Sequence, residues 1–354
     1  VAALLGAALF AHRPAPSGRP GRAGRAPEAP RTASPETVAR VFAADAAGAP
    51  PAPTLLDRLR SALAELSDED LLDVRRRLVR MLEDDPARIA ELAALFEIEA
   101  DPDLLEILAE ALAGNAQAVS DPAVVAAMLR SAEGPGLEAR RGAALQFLQK
   151  LPAADPRADD VVLRLARDES GSREFRLGAL AAAAAWMQNQ PDGAERLWRP
   201  VLGTAAAARD SEVRGHAIQA VALLDRPAGA ELVSALAPFL RDASAENRAL
   251  AAMGLGAASP DARASASALI EGAIAVERSA GLQRGLLLHL VRASGPGAEA
   301  SLARVESAHP SLAADARDYI EILKSQRDPV RVWEEKQRRD AARGVVPGAE
   351  EHTD

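Results

Sequence analysis

Few residues in this chain could do chemistry, and their spacing keeps them apart. The histidines are His12, His216, His289, His309 and His352. No two stand at i, i+3 or i, i+4, so no pair would share a helix face. None falls into a pattern with Asp or Glu that a metal site requires. His216 and His289 fall inside predicted helices, where packing or solvent exposure is the simpler reading. The carboxylate pairs Asp84-Asp85 and Asp159-Asp160 stand at predicted turns and helix starts, where the helix dipole favours negative charge without any reaction. There is no cysteine, which removes disulfides and thiolate metal sites. The chain contains no Gly-x-Gly-x-x-Gly or Gly-Lys-Ser/Thr phosphate loop and no Gly-x-Ser-x-Gly elbow. No catalytic residue, cofactor or metal follows from these residues.

Two further sets stand out. Trp186 and Trp198 are conspicuous in a chain with only 3% aromatic residues. They read as core packing across Pro191 or, more sharply, as partner contacts, where tryptophan is enriched. Asp210 and Arg214 open the stretch 210–224, in which small and branched apolar residues follow at helical spacing. Taken alone they would pass for a functional ion pair.

The elements that must position these residues are helices. Apolar residues make up 48% of the 354 and charged residues 26%, enough for a buried core. Alanine is abundant and loses least on entering a helix. The scarcity of aromatics disfavours a sandwich or barrel filled by large side chains. The net charge of −9 argues against a general nucleic-acid binder, which would carry a basic face.

Prolines then mark a repeat. Pro53, Pro86, Pro122, Pro156, Pro191, Pro227, Pro260, Pro296 and Pro329 follow one another at intervals of 33 to 36 residues. Such a period is the mark of stacked helical hairpins. Asp85, Asp121, Asp155 and Asp328 precede four of these prolines. Aspartate at N-cap with proline at N1 is a standard helix start, because the missing N–H would be unpaired there anyway. A second ladder, Arg140, Arg176, Arg214, Arg248, Arg284 and Arg317, runs with nearly the same period half a repeat out of phase. It marks the second helix of each hairpin.

The segment 232–248 resembles a HEAT repeat. That family tends to carry a proline within the first helix, an aspartate at the turn and an arginine early in the second helix. Here these are Pro238, Asp242 and Arg248, and the preceding repeat matches with Pro200, Asp210 and Arg214. Repeats from Pro122, Pro156 and Pro260 lack the internal proline, and those from Pro53 and Pro86 lack a clear arginine rung. A tetratricopeptide array of similar period would carry aromatic and Gly-x-x-Tyr positions that are absent. The resemblance implies an all-α fold, a right-handed alpha-alpha superhelix (solenoid) of about eight helical-hairpin repeats over 54–328. Pro200 and Pro238 would bend their helices, and the acid–arginine pairs would set register between turn and helix. A charged capping helix, anchored by Trp333 and paired through Glu334–Arg338 and Glu335–Arg339, would close the stack within 329–354.

What the resemblance implies for function is a non-enzymatic protein–protein interaction scaffold. It would be a monomer that meets an unidentified protein partner on the surface of its second helices. Some HEAT-like folds act on ligands, as the phycobilin lyases and alkylpurine DNA glycosylases do. The latter need a basic, aromatic-lined face that an acidic chain with three tryptophans does not offer, so no nucleic-acid partner is expected.

Residues 1–11 (VAALLGAALFA) carry no charge. Three readings stay open: the end of a membrane anchor or signal peptide, a short signal-like segment, or a loosely packed apolar end. Residues 12–53 turn to Pro, Ala, Gly and Arg, with Arg13, Arg19, Arg22, Arg25 and Arg31, and predict an extended tether. Together they place the protein in the cell envelope, tethered to a membrane with extracytoplasmic repeats; a cytoplasmic location is the alternative.

Overall fold

The computed structural model describes residues 38, 39, 41 and 42, Leu55–Leu63, 68–325 and 328–343. Among these residues the protein is helical without strands, and an isolated bridge joins Ala228 to Ala258. They fall into two compact units, one ending at Gly193 and the other beginning at Ala194.

The first unit holds α1 (Leu55–Leu63), α2 (Asp68–Asp84), α3 (Ala87–Ile98), α4 (Pro102–Ala113), α5 (Pro122–Glu133), α6 (Glu138–Leu148), α7 (Pro156–Arg167) and α8 (Arg173–Asn189). Here α3 packs on α5 and α5 on α7, while α2, α4, α6 and α8 pack in series. Adjacent helices such as α5 and α6, or α7 and α8, pack as hairpins. Val38 and Val41 are buried, and Arg58 Nε donates to the Val41 carbonyl at 2.9 Å. Part of the stretch read as tether therefore lies against α1.

The second unit begins with α9 (Gly193–Ala207) and α10 (Ser211–Ala222). Then come α11 (Ala230–Leu236) with a 3-10 continuation (Ala237–Arg241), α12 (Ala245–Leu255), α13 (Arg263–Val276) and α14 (Ala280–Ser294). It closes with α15 (Ala298–Ala308), α16 (Ala313–Ser325) and α17 (Pro329–Ala342). The pattern repeats: α11 packs on α13 and α13 on α15, while α10, α12 and α14 form their own series.

Local chemistry explains the helix starts. Asp121, Asp155 and Asp328 cap α5, α7 and α17 through their side chains, each with proline in the first turn. Asp101-Pro102 opens α4 in the same way, so the Asp-Pro signature is not confined to the proline ladder. Pro86 itself occupies the N-cap of α3, without a side-chain bond. Pro191, Pro227, Pro260 and Pro296 precede α9, α11, α13 and α15 by two or three residues; Pro53 lies outside the described residues. Ser172, Asp210, Ser244 and Ser279 cap α8, α10, α12 and α14. A side-chain oxygen at that position accepts one of the N–H groups the first turn leaves unpaired.

The membrane-tethered envelope placement is overturned by the helices. Among the described residues, none is long and apolar enough to cross a membrane. The longest, α2 and α8, have 17 residues each. That is roughly 25 Å of helix against a hydrocarbon core of about 30 Å, and α2 carries Arg75, Arg76 and Arg77 in a row. Residues 1–11 lie outside the described residues.

The terminal helix also differs in detail from expectation. Val332 is fully buried and Trp333 only half-buried, so valine is the deeper anchor of α17. Arg339 pairs with Glu335 as expected, but Arg338 pairs with Glu335 rather than Glu334.

Candidate interaction groove

Between α9 and the α11 segment lies a groove of about 680 Å³. Trp198, Leu202 and Phe239 give it apolar lining, and Gly203, Ala206, Ala235 and Pro238 keep it open because they are small or compact. The sequence builds this shape through its internal prolines. Pro238 has no N–H to continue an α-helix, and the chain tightens from α11 into a 3-10 turn over Ala237–Arg241. It therefore ends the α-helix rather than bending it from within. Pro200 does lie inside a helix, α9, and its carbonyl accepts from Thr204 Oγ1 at 3.1 Å.

The charged side chains lining the groove are paired with one another. Arg199 forks onto Glu231, with Nε to Oε1 at 2.7 Å. That bond raises the Arg199 pKa and holds the Glu231 carboxyl below the usual range. Arg214 forks onto Asp242, with Nε to Oδ2 at 2.8 Å and Nη2 to Oδ1 at 3.2 Å. Burial alone would raise the Asp242 pKa; the Arg214 fork, the Ser244 N–H and the Asn247 amide together lower it. A bidentate guanidinium–carboxylate pair is stronger and more directional than a single charged bond.

These contacts change the meaning of Asp210 and Arg214. Asp210 caps α10, accepting from the N–H groups of Glu212 and Val213. Arg214 donates to the carbonyls of Ala208 and Arg209 and then reaches forward to Asp242. Arg214 thus ties the turn before α10 to its own helix through the Ala208 and Arg209 carbonyls, and its carboxylate fork joins that hairpin to the next. Arg248 repeats the geometry: it donates to the carbonyls of Asp242 and Ala243 and forks onto Glu277. Sequence reasoning missed Glu277, although the signal was present. An acid closes the first helix 28 or 29 residues beyond each of these arginines. Glu99 is a related case, closing α3, accepting from Ala100 N and Asp101 N, and pairing with Arg60.

A second groove of about 470 Å³ lies between the α11 segment and α13. It shares Ser234 and Pro238 with the first and is lined further by Ala268, Leu269, Gly272 and Val276. Val276 is 68% exposed, unusual for so large an apolar side chain. The two grooves form one tract across three first helices. The second helices, where partner contact was expected, contribute only Arg214 to their lining.

The tryptophans separate. Trp186 is buried in the first unit, with its indole N–H donated to the Leu148 carbonyl at 2.7 Å, and packs as core. Trp198 is 3% exposed yet lines the groove; Arg199 lies over its ring at 4.6 Å, and its indole N–H has no acceptor.

Other groups have structural explanations. Asp315, Asp318 and Asp340 bring carboxylate oxygens within 4.8 Å of one another, as a metal site would. The ammonium of Lys336 already lies among them, 2.8 Å from Asp315 and 2.5 Å from Asp340. Burial works against its charge, but these bonds prevail and raise its pKa. The cluster fastens α17 to α16. His216 Nδ1 lies 3.0 Å from the Glu212 carbonyl at the surface. His289 is half-buried as a side chain, but its Nδ1 is shielded and without a partner. Burial, helped by the Arg292 charge, pushes its pKa down to about 3. Asp85 pairs with Arg88, Asp84 ends α2, and Asp159 and Asp160 lie early in α7.

No protein-family model matches the chain, and no curated protein matches it.

Proposed function

We propose that this chain is a non-enzymatic interaction scaffold, a HEAT-like solenoid of about eight helical hairpins that holds an apolar protein segment along its first helices. The observation that carries the reading is the two-groove tract spanning α9, the α11 segment and α13. Its lining is apolar and small, and the Arg199–Glu231 and Arg214–Asp242 forks cancel most of its charge. Support for the solenoid comes from the packing of first helix on first helix and second on second within each unit. The arginine forks that step from one hairpin to the next add to it. Stacked repeats that contact only their neighbours leave a continuous surface, and such surfaces bind extended partners.

The test is a matched pair of surface changes in the full chain. Ala206→Arg and Gly272→Arg fill the grooves with charge, whereas His216→Arg charges an exposed position on α10. If the reading holds, a defined partner co-purifies with the parent and the His216 variant but not with the groove variants. Equal capture by all three would reject the groove as the binding surface.

A further inference from the structure

We infer that the partner segment held by the groove tract is acidic on one flank: an apolar stretch of another protein, bordered by Asp or Glu that meet Arg241 and Arg278. The inference rests on the scaffold reading above and names the chemistry of its partner.

The tract has one charged end. α11 has seven residues, against fifteen in α9 and fourteen in α13. Its 3-10 continuation carries the chain on to Arg241, the one charged residue among those described as lining the second groove. Val276 ends α13 on the same groove, 68% exposed, and Arg278 follows it by two residues. Arg241 and Arg278 are both exposed, and among the described residues neither guanidinium has a partner.

The carboxylates beside these arginines are committed elsewhere. Asp242 is taken by Arg214, Ser244 N and Asn247 Nδ2. Glu277 accepts from Arg248 and from the N–H groups of Arg278 and Ser279. Their side chains are 7% and 5% exposed, turned to bonds inside the fold. Each acid cancels the arginine of a second helix, so Arg241 and Arg278 stay as unmatched positive charge. In the first groove the Arg199–Glu231 fork cancels its own charge. The Trp198 indole N–H adds a donor without an acceptor in the wall of that groove. The groups left unmet are thus donors, and a ligand answers them with acceptors.

A protein interface places apolar side chains at its centre and charge at its rim. Rim charges steer approach and select among partners more than they add affinity. A segment whose apolar residues lie against Leu202, Phe239, Leu269 and Val276, with acids toward the end of α13, meets both demands. A basic flank would set like charges together, and a neutral one would leave the arginines unmatched.

The test selects binders to the full chain from a displayed library of random peptides. Enriched peptides are expected to join an apolar core to Asp or Glu on one flank. Two exposed pairs predict that exchanging those acids for lysine weakens binding about tenfold at low salt, read by fluorescence anisotropy. Arg241→Glu with Arg278→Glu alters two exposed side chains that hold nothing in the fold, and should invert the preference. Gly272→Phe fills the groove without charge, where an added Cβ meets nothing within 4 Å, and should abolish binding of both peptides. Enriched peptides that lack an acidic flank yet are lost in Gly272→Phe overturn the inference and leave the scaffold reading standing. Acidic peptides that still bind Gly272→Phe, or that ignore the double charge reversal, overturn it as well. Enrichment of no peptide over the bare matrix overturns both readings. Uptake of the chain by phosphatidylserine vesicles with release of the peptide would give the rim to a lipid surface, and that too overturns the inference.

Discussion

Replacing Asp242 tests the inter-hairpin fork most directly, because two rival pairings of Arg214 give opposite answers. The Asp242 side chain is 7% exposed and Arg214 17%, so their bond lies between the surface and buried regimes. Exposed pairs contribute about 0–1 kcal/mol, whereas removing one partner of a buried pair costs about 3–5 kcal/mol. Asp242→Ala also removes the acceptor for Ser244 N and Asn247 Nδ2. Arg214 keeps its bonds to the Ala208 and Arg209 carbonyls, which limits the penalty. A loss of about 3 kcal/mol is expected for Asp242→Ala, and about 2 kcal/mol for Arg214→Ala. The double variant should reveal a coupling energy of about 1.5–2 kcal/mol. Asp210→Ala should cost about 1 kcal/mol as a lost N-cap and couple to Arg214 by no more than about 0.5 kcal/mol. Urea unfolding followed by far-UV circular dichroism measures each corner of both cycles, read only where the denaturant slope is unchanged. The Asp242 coupling should persist in high salt, because partly buried pairs are screened less. A coupling between Asp210 and Arg214 as large as that between Asp242 and Arg214 would refute the reasoning.

Three other outcomes follow. His289 has its pKa depressed to about 3 in the fold, below its unfolded value near 6.5, so the folded state binds fewer protons between those limits. The resulting stability is whole above about pH 6.5 and declines toward pH 3, by up to about 1.4 kcal/mol per pH unit. His289→Gln should flatten that slope in urea titrations at successive pH values, and an unchanged slope would contradict it. A Cβ on Gly193 would meet the Trp186 carbonyl oxygen at 2.0 Å, a backbone atom that cannot turn aside, whereas one on Gly142 meets nothing within 4 Å. Gly193→Ala should cost about 3 kcal/mol or more by strain and Gly142→Ala should gain about 0.5–1 kcal/mol, compared by thermal melting. Lys336→Ala leaves Asp315, Asp318 and Asp340 facing one another without the ammonium between them. Stability should fall by about 2–4 kcal/mol, and limited proteolysis should cut first at the α16–α17 junction; an unchanged cleavage pattern would show that the cluster does not hold α17.

Helix content and helix phase are local properties, and they are legible in the residues. An Asp-Pro or serine N-cap needs only the next three residues to act, which is why α5, α7 and α17 begin where their aspartates stand. From α5 to α16 the proline rungs fall at or just before the odd-numbered helices and the arginine rungs within the even-numbered ones, whereas α2 and α4 have no rung. Where a start lacks a side-chain cap, as at α11, α13 and α15, the proline two or three residues upstream marks it less sharply.

Pairing between hairpins is not local. Asp210 and Asp242 are both aspartates near a turn, and four residues of sequence separation made Asp210 the natural partner for Arg214. Packing places the fork with Asp242, because α10 and α12 lie side by side and bring that turn within reach of the guanidinium. The same holds for Lys336, whose role emerges only when α17 lies on α16. It holds also for Trp186 and Trp198, equal in sequence but separated by whether a neighbouring carbonyl meets the indole.

Residue types and spacing by themselves thus determined that the described protein is helical, where several of its capped helices start, and that no familiar set of catalytic motifs is present. Only tertiary structure decided which charges neutralise one another and which surface stays apolar. Capping and propensity act over a few residues of backbone, whereas ion pairs and grooves depend on side chains that meet only after distant helices have packed.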